Sequence, residues 1–511
     1  MPGKLRKASQ AFFLLLFFYL FLQTESKGAN ELGYPVRIFL DADPLLYLTT
    51  LLSTRSLENV WSIALIVAIA TVFLGRVFCG WICPLGTLHD LAGKLGRPRR
   101  RTLGWFRLKY LLLLGLTASS LFTLQAAGLF DPLSLLIRSL AISIYPAFQH
   151  AVSAFFDTVY AWQVPLLTDA SEAVYGLLKK TLLSFRPPRF NQAFFVGLIF
   201  LGILGLNLVE RRFWCRYLCP LGALLGLLSR RAVLKRSVSE GCDGCGVCTA
   251  ACPVGAGPGT KEGWKASECI ACMKCDDLCP TGAVRFGFSA GKDSGIDLGR
   301  RRVVASLAAG AAAVPLLRVT PLAGAGAADP TLIRPPGALP EPDFLRRCVK
   351  CGECMKVCLT GGLQPALLEA GLEGLWTPLL VPRIGCCEYR CTLCGQVCPT
   401  GAIEKLDPEQ KANVKIGLAM IDPGRCLPYA HGIPCSVCEE VCPTPQKAIR
   451  LEETVGNRDG KEVALRRPRV DLERCIGCGI CEMKCPVLGR PAIAVTSLGE
   501  TRSKDNRLLL G

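Results

Sequence analysis

Five stretches of the chain are predominantly apolar, at roughly residues 11–23, 58–78, 110–130, 193–209 and 303–317. A membrane-spanning helix prefers roughly 20 such residues. The middle three approach that length, and the first and last are shorter or weaker. The polar flanks are asymmetric: "KLRK" precedes the first stretch, a basic run from Lys94 to Lys109 separates the second from the third, and Arg211, Arg212, Arg230 and Arg231 follow the fourth. Basic residues beside spans stay on the cytoplasmic side. Residues 24–57 and 131–192 are then expected outside and 211–300 inside, and a fifth crossing at 303–317 carries all that follows outside. Residues 131–192 are themselves apolar enough for amphipathic helices or a further pair of spans, which leaves this parity unchanged.

Composition sharpens the picture. Half of the 511 residues are hydrophobic, mean hydropathy is +0.35, and there are 29 cysteines. This is too apolar for an ordinary soluble enzyme and far too rich in cysteine. The 59 basic residues outnumber the 41 acidic ones, but they sit beside apolar segments with no aromatic-interleaved basic stripe, so no nucleic-acid partner is expected. An odd cysteine count at close, repeated spacing argues for metal ligation over a disulfide framework.

Residues 242–253, "CDGCGVCTAACP", and 269–280, "CIACMKCDDLCP", are both Cys-x2-Cys-x2-Cys-x3-Cys-Pro. That run suits [4Fe-4S] ligation: one tight loop presents three thiolates, and the fourth cysteine ligates the neighbouring cluster. A zinc ribbon pairs two Cys-x2-Cys knuckles across a longer gap and needs no fourfold run. By the crossed rule Cys242, Cys245, Cys248 and Cys279 hold one cluster, and Cys269, Cys272, Cys275 and Cys252 the other.

The pattern returns four times, as Cys348, Cys351, Cys354 and Cys358; Cys387, Cys391, Cys394 and Cys398; Cys426, Cys435, Cys438 and Cys442; and Cys475, Cys478, Cys481 and Cys485. The first of these ends in Leu359 instead of proline, and the third stretches its first gap to eight residues. Cys386 and Cys387 compete for one position. The shorter gap to Cys391 favours Cys387 and makes Cys386 a spare. Spacing leaves open which of the four motifs pair. About six [4Fe-4S] clusters are expected in all.

An internal repeat sits in the apolar half: "RVFCGWICPLG" at 76–86 and "RRFWCRYLCPLG" at 211–222. Its cysteines, Cys79, Cys83, Cys215 and Cys219, are either small buried hydrophobes at helix ends, redox dithiols, or further iron ligands. Of the three histidines, His89, His150 and His431, none belongs to a Cys-x-x-Cys-His, so a c-type haem is not expected. No phosphate loop, dinucleotide fingerprint or nucleophile–base set is present, and no catalytic residue is assigned. His89, Asp90, Asp131 and Glu210, near span ends, are the groups that could take protons from a membrane dihydroquinone.

The motifs divide the chain into a transmembrane domain (1–210), a two-cluster ferredoxin domain (211–298), a linking segment (299–330) and a four-cluster domain (331–511). The fold class expected is an α-helical membrane domain plus α+β ferredoxin modules of the bacterial 2[4Fe-4S] type. Residues 1–300, with spans, two Cys-x3-Cys-Pro elements and a two-cluster tail, resemble the NapH/MauN membrane proteins. Residues 299–511, with a twin-arginine start and four motifs, resemble the NapG/MauM proteins of periplasmic nitrate reduction and methylamine dehydrogenase systems. The likeness implies a multi-pass protein of the bacterial inner membrane that takes electrons from the quinol pool to a periplasmic reductase or cytochrome, with the C-terminal domain in the periplasm. Its other implication is a redox maturation factor for a periplasmic enzyme. Arg300 and Arg301 match the arginine pair of a twin-arginine export signal, although Gly299 replaces the usual serine or threonine. The run at 303–317 is thin for a permanent anchor and suits a translocation signal, with small residues at 324–329 for processing. A plain Ala/Gly-rich linker that leaves all clusters inside is the competing reading.

Overall fold

Only one of the two longest apolar helices covers one of the five apolar stretches. In the computed structural model, which describes residues 2–25, 31–32, 35–56, 62–95, 104–184, 187–257, 264–288, 298–318, 329–458, 461–503 and 506, two helices are long and apolar enough to cross a membrane: Gly3–Gln23 and Pro132–Ala161. The second lies in the segment 131–192, where amphipathic helices or a further pair of spans were the expectation. The expected spans at 58–78, 110–130 and 193–209 are shorter helices, Ser62–Leu74, Arg107–Leu121 and Ala193–Gly205. Local chemistry ends two of them. Gly75 takes φ +76°, a conformation that stops a helix without a side-chain penalty. Thr123 is left-handed at φ +67°, closing a turn after Leu121. Residues 57–61, the start of the second expected span, lie outside the described residues.

The Cα framework groups into two units: Met1–Gln23, Tyr34–Ser139 and Phe195–Leu316; and Thr24–Gly33, Leu140–Phe194 and Leu317–Gly511. In the first unit, Arg6 and Gln10 on the N-terminal helix both donate to the Gly80 carbonyl at 3.1 Å and reach Asp90. The helix Pro44–Thr54 starts on Asp43, whose carboxylate accepts from the Leu45 and Leu46 amides at 2.7 and 3.2 Å, a capping role worth about 1 kcal/mol. The ferredoxin module is a two-stranded antiparallel sheet, Leu234–Val238 against Val284–Phe288, with short helices Val247–Ala251 and Lys274–Asp277. A buried ionic set fixes it to the apolar helices of this unit. Glu268 accepts from Lys109 and from the Tyr110 hydroxyl at 2.8 Å, and Arg76 lies 3.6 Å from the same carboxylate.

The segment read as a signal or anchor, 299–330, contains a helix, Arg300–Arg318. At 1.5 Å per residue its 19 residues run about 28 Å, longer than the apolar run alone suggests because the arginines at both ends join it. It packs on Arg107–Leu121 through small residues. Ser306 donates to the Leu111 carbonyl, and a Cβ at Gly310 would overlap the Gly115 backbone. Small residues that bring backbones together are how helices associate where burial from water gives no drive. Gly310→Leu is therefore expected to detach this helix, read as new protease cleavage between residues 298 and 318, while Ala311→Leu changes little. Of the small residues expected at a processing site, 324–328 lie outside the described residues.

In the second unit, strands Leu418–Ile421 and Ile493–Thr496 pair antiparallel, Ile449–Arg458 and Lys461–Val470 form a longer hairpin, and Leu363–Pro365 pairs with Pro378–Leu380. Arg334 is a buried anchor. It donates to the Thr377 hydroxyl at 2.9 Å and the Pro378 carbonyl at 2.7 Å, lies over the Phe344 ring, and pairs with Glu341, which also takes Arg502. Burial alone would raise the Glu341 carboxyl, but the two guanidiniums outweigh it and hold it down at about 2. A depressed carboxylate stabilises the fold above its unfolded pKa, and this is lost as pH falls through about 4.5 towards 2. The ceiling is about 3 kcal/mol at 1.36 kcal/mol per unit, reduced by solvent because the Glu341 side chain is 29% exposed. Glu341→Gln should lower the thermal midpoint clearly at pH 7, and the gap to wild type should narrow by pH 3.

Candidate iron–sulfur sites

In the second unit three cavities of about 370, 390 and 430 Å³ are lined by cysteines from two motifs each. The first is walled by Cys348, Cys351, Cys354 and Cys398, with Phe344, Val349, Val397 and Ile403 as apolar surround. Cys358, Cys387, Cys391 and Cys394 wall another, together with Cys386. Cys426, Cys435, Cys438 and Cys485 wall the third. Three thiols come from one motif and the fourth from its partner, so the first C-terminal motif crosses with the second and the third with the fourth. The remaining set follows suit: Cys442 lies in electrostatic range of Cys475 and Cys478, and Cys481 close to both of the latter.

Cys394 lies close to Cys387, Cys391 and Cys358, whereas Cys386, although on the same cavity wall, uses its carbonyl to accept from the Thr360 hydroxyl. The two pairs of motifs also touch, because the Cys387 amide donates to the Cys478 carbonyl at 2.8 Å. The four thiol sets therefore run in a row whose order differs from the sequence: first motif, second, fourth, third.

The local fold explains how these loops present thiols. Gly246, Gly352 and Gly479 follow the second cysteine of their motifs at φ +72°, +84° and +78°, turning the loop directly into a short helix that carries the third. Backbone amides point at sulfur, with Ala256 on Cys252 at 3.3 Å and Ile403 on Cys398 and Ala419 on Cys475 at 3.5 Å each. In the first unit, Cys269 lies in range of Cys272, Cys252 and Cys275, while Cys248 and Cys279 pack on Val284. Cys245 is exposed.

One recurrent ligand neighbour escaped the sequence reading. A threonine two residues after the fourth cysteine sets its hydroxyl against the sulfur in four motifs: Thr281 on Cys279 at 3.6 Å, Thr360 on Cys358 at 3.7 Å, Thr400 on Cys398 at 3.9 Å and Thr444 on Cys442 at 3.3 Å. Cys252 and Cys485 have Val254 and Val487 there instead. The signal was present as Cys-x-Thr, but only geometry shows the contact. Hydrogen bonds to cluster sulfurs tune potential, because a donor dipole favours the more negative, reduced state. Thr444→Val is accordingly expected to lower the potential of one cluster, measured by redox titration of its EPR signal.

The thiol sets fit the group their spacing implies. Each cavity is walled by four thiols with apolar residues between them, the donor set and surround that a cubane takes. Burial pushes the Cys387 thiol up to about 11, and Cys438 and Cys478 up to about 12. Such thiols stay protonated unless a metal takes the proton's place.

Asp90, Asp131 and Glu210 are held by neighbours, whereas His89 is held at one ring nitrogen and its buried Nε2 has no hydrogen-bond partner. His89 Nδ1 faces the Asn207 amide at 2.7 Å, and burial, then Arg212, lowers the imidazole to about 4, so it stays neutral at pH 7. Asp90 is held by Arg212 through two bonds of 2.8 Å. Asp131 accepts from the Leu133 and Ser134 amides. Glu210 pairs with Arg216 and the Tyr217 hydroxyl.

Comparison with known proteins agrees with the thiol geometry. A 4Fe-4S binding domain matches residues 60–102 and 192–239, and 4Fe-4S dicluster domains match 234–280 and 431–488. The chain is similar to the methylamine utilization ferredoxin-type protein MauM of Methylorubrum extorquens, 42% identical over 175 residues, 34% of this chain and 75% of the relative. MauM of Paracoccus denitrificans is 41% identical over 33% of this chain and 72% of its own length. The ferredoxin-type protein NapG of Escherichia coli is 39% identical over 32% and 71%. No solved structure matches. The chain carries several [4Fe-4S] clusters and is an iron–sulfur electron-transfer protein; through the third of its length that these relatives cover, it belongs to the MauM/NapG family of ferredoxin-type proteins.

Proposed function

We propose that this protein is a membrane-bound relay that takes electrons from the quinol pool and passes them singly through six [4Fe-4S] clusters to a periplasmic oxidoreductase. The observation that carries this reading is the linkage of the four C-terminal thiol sets: the first two exchange a cysteine, the last two exchange a cysteine, and a backbone hydrogen bond from Cys387 to Cys478 joins the two pairs. Such a row suits conduction. The ligands are Cys242, Cys245, Cys248 and Cys279; Cys269, Cys272, Cys275 and Cys252; Cys348, Cys351, Cys354 and Cys398; Cys387, Cys391, Cys394 and Cys358; Cys426, Cys435, Cys438 and Cys485; and Cys475, Cys478, Cys481 and Cys442. When bound, a [4Fe-4S] cluster accepts and releases one electron. The protein's own residues hold it, shield it with apolar walls and aim amide and hydroxyl dipoles at its sulfurs.

The N-terminal helix, the long helix Pro132–Ala161 and the helix Arg300–Arg318 support the membrane part of the reading. The test is anaerobic addition of a short-chain quinol to the protein in proteoliposomes. Bleaching of the visible cluster absorption is expected, and an unchanged spectrum with quinols of several potentials rejects the quinol donor.

A second reading has the protein supply redox equivalents while a periplasmic partner's cofactor is built. It draws on the identity to methylamine utilization proteins, which is as high as that to NapG. Deleting the gene separates the two. An inactive, immature partner with normal quinol oxidation favours maturation, and a mature partner starved of electrons favours the relay.

A further inference from the structure

The two Cys-x3-Cys-Pro repeats, which the six clusters leave unused, form one site. Each repeat folds the same way: a π-helical turn, Phe78–Ile82 or Trp214–Leu218, closes with the second cysteine's amide donating to the first turn residue's carbonyl at 2.9 Å. A proline then starts a helix, Pro84–Leu95 or Pro220–Leu228. Cys219 Sγ accepts from the Gly222 amide at 3.2 Å, and Cys83 takes the equivalent bond from Gly86.

The repeats then interlock. Arg212 of the second reaches the Cys79 carbonyl of the first at 3.2 Å and passes over Gly86. Arg76 of the first passes over Gly222 of the second, where a Cβ would meet its guanidinium at 2.8 Å and Cys219 Sγ at 3.4 Å. Each Cys-Pro-Leu-Gly glycine thus makes room for the other repeat's arginine. The result is convergence of all four thiols: each of Cys79, Cys83, Cys215 and Cys219 lies within electrostatic range of the other three. Cys83 and Cys219 are buried, all four are free of disulfides, and Arg76 is 1% exposed with its Nε lacking a hydrogen-bond partner.

We infer that Cys79, Cys83, Cys215 and Cys219 together ligate one additional iron–sulfur cluster, shared across the repeat. Four convergent thiols, two from each copy of one repeat, are the ligand number that a cubane takes at the ferredoxin motifs. Such a core with thiolate ligands is anionic; the amides of Gly86 and Gly222 donate to two of the sulfurs, and Arg76 and Arg212, each also paired with a carboxylate, lie beside the thiols. The family match to residues 60–102 and 192–239 covers each repeat separately, whereas the geometry needs both for one site.

The position gives the cluster a neighbour. Trp81 donates to the Ala271 carbonyl at 2.9 Å, and Cys79 packs with Ile270, Cys272, Cys252 and Cys269. The new cluster therefore lies beside the one assigned to Cys252, Cys269, Cys272 and Cys275, at the join between apolar helices and ferredoxin module. This deepens the relay reading, but its test does not depend on quinol or any partner.

The experiment uses the full chain purified anaerobically. Iron and acid-labile sulfide are expected at about 28 per chain for seven cubanes, or about 26 if this core has two irons, against about 24 for six. Cys83→Ser with Cys219→Ser should remove two to four irons and leave the ferredoxin EPR signals. In the unsubstituted protein, mass-spectrometric mapping with N-ethylmaleimide should find all four cysteines protected, and reactive only after iron is chelated. Ready alkylation of these thiols in the iron-loaded protein, disulfides between them, or an iron count unchanged by the double substitution overturns the inference even if the variant folds poorly. Failure of quinol to reduce the protein would leave the count and the protection map as they are.

Discussion

Cys398→Ala should abolish the same cluster signal as Cys348→Ala and leave the signal that Cys394→Ala removes. Cys394 and Cys398 are neighbours in sequence, yet Cys394 lines a cavity with Cys358, Cys387 and Cys391, and Cys398 lines one with Cys348, Cys351 and Cys354. A cubane that loses one of four thiolates is converted or lost, so each effect is that of a whole cluster. Cys387→Ala should match Cys394→Ala, and Cys386→Ala should spare every cluster. The measurement is iron content with low-temperature EPR of the reduced protein. If Cys394→Ala and Cys398→Ala removed one common signal, the crossed pairing would be wrong.

The second large effect concerns sidedness. With arginines 300–302 at the inner face and the helix Arg300–Arg318 crossing, residues 331–511 should be digested by protease in spheroplasts, and Arg300→Lys with Arg301→Lys should leave them protected. Because the helix is packed against Arg107–Leu121 through Gly310 and Ser306, the exported domain is expected to stay joined to the rest, so immunoblots before protease treatment should show one full-length band. Protection in intact spheroplasts with digestion in inverted vesicles would place all clusters inside and exclude a periplasmic partner.

The cluster motifs were legible in sequence because ligand spacing is set by a short loop around a core of fixed size. The choice between Cys386 and Cys387 rests on loop length, and both line the same cavity. The pairing of the four C-terminal motifs was not legible, since it depends on which strands meet over long separations, as Leu418–Ile421 and Ile493–Thr496 do. Hydropathy placed Gly3–Gln23 well but stretched its neighbours, because a window average does not register Gly75 or Thr123, where backbone conformation ends a helix inside an apolar run. It also undervalued Arg300–Arg318, whose charged ends lower the average while its small residues make the packing. The repeat of Cys-x3-Cys-Pro was plain, but its interlocking was hidden, because each arginine serves the other copy.

The row order places the third C-terminal motif, with its long first gap, at an end. Residues between Cys426 and Cys435 form a short turn of helix, Leu427–Ala430, and an outward loop on which Ala430, His431, Ile433 and Pro434 are exposed. A terminal position is the one place where a ligand loop can lengthen without changing the separation of any two clusters. Electron tunnelling falls steeply with distance, so interior spacings tolerate little drift, whereas a loop at the margin can be rebuilt to meet a different acceptor. Shortening the loop between Cys426 and Cys435 is therefore expected to leave electron transfer among the clusters unchanged, measured by the rate at which the reduced clusters equilibrate.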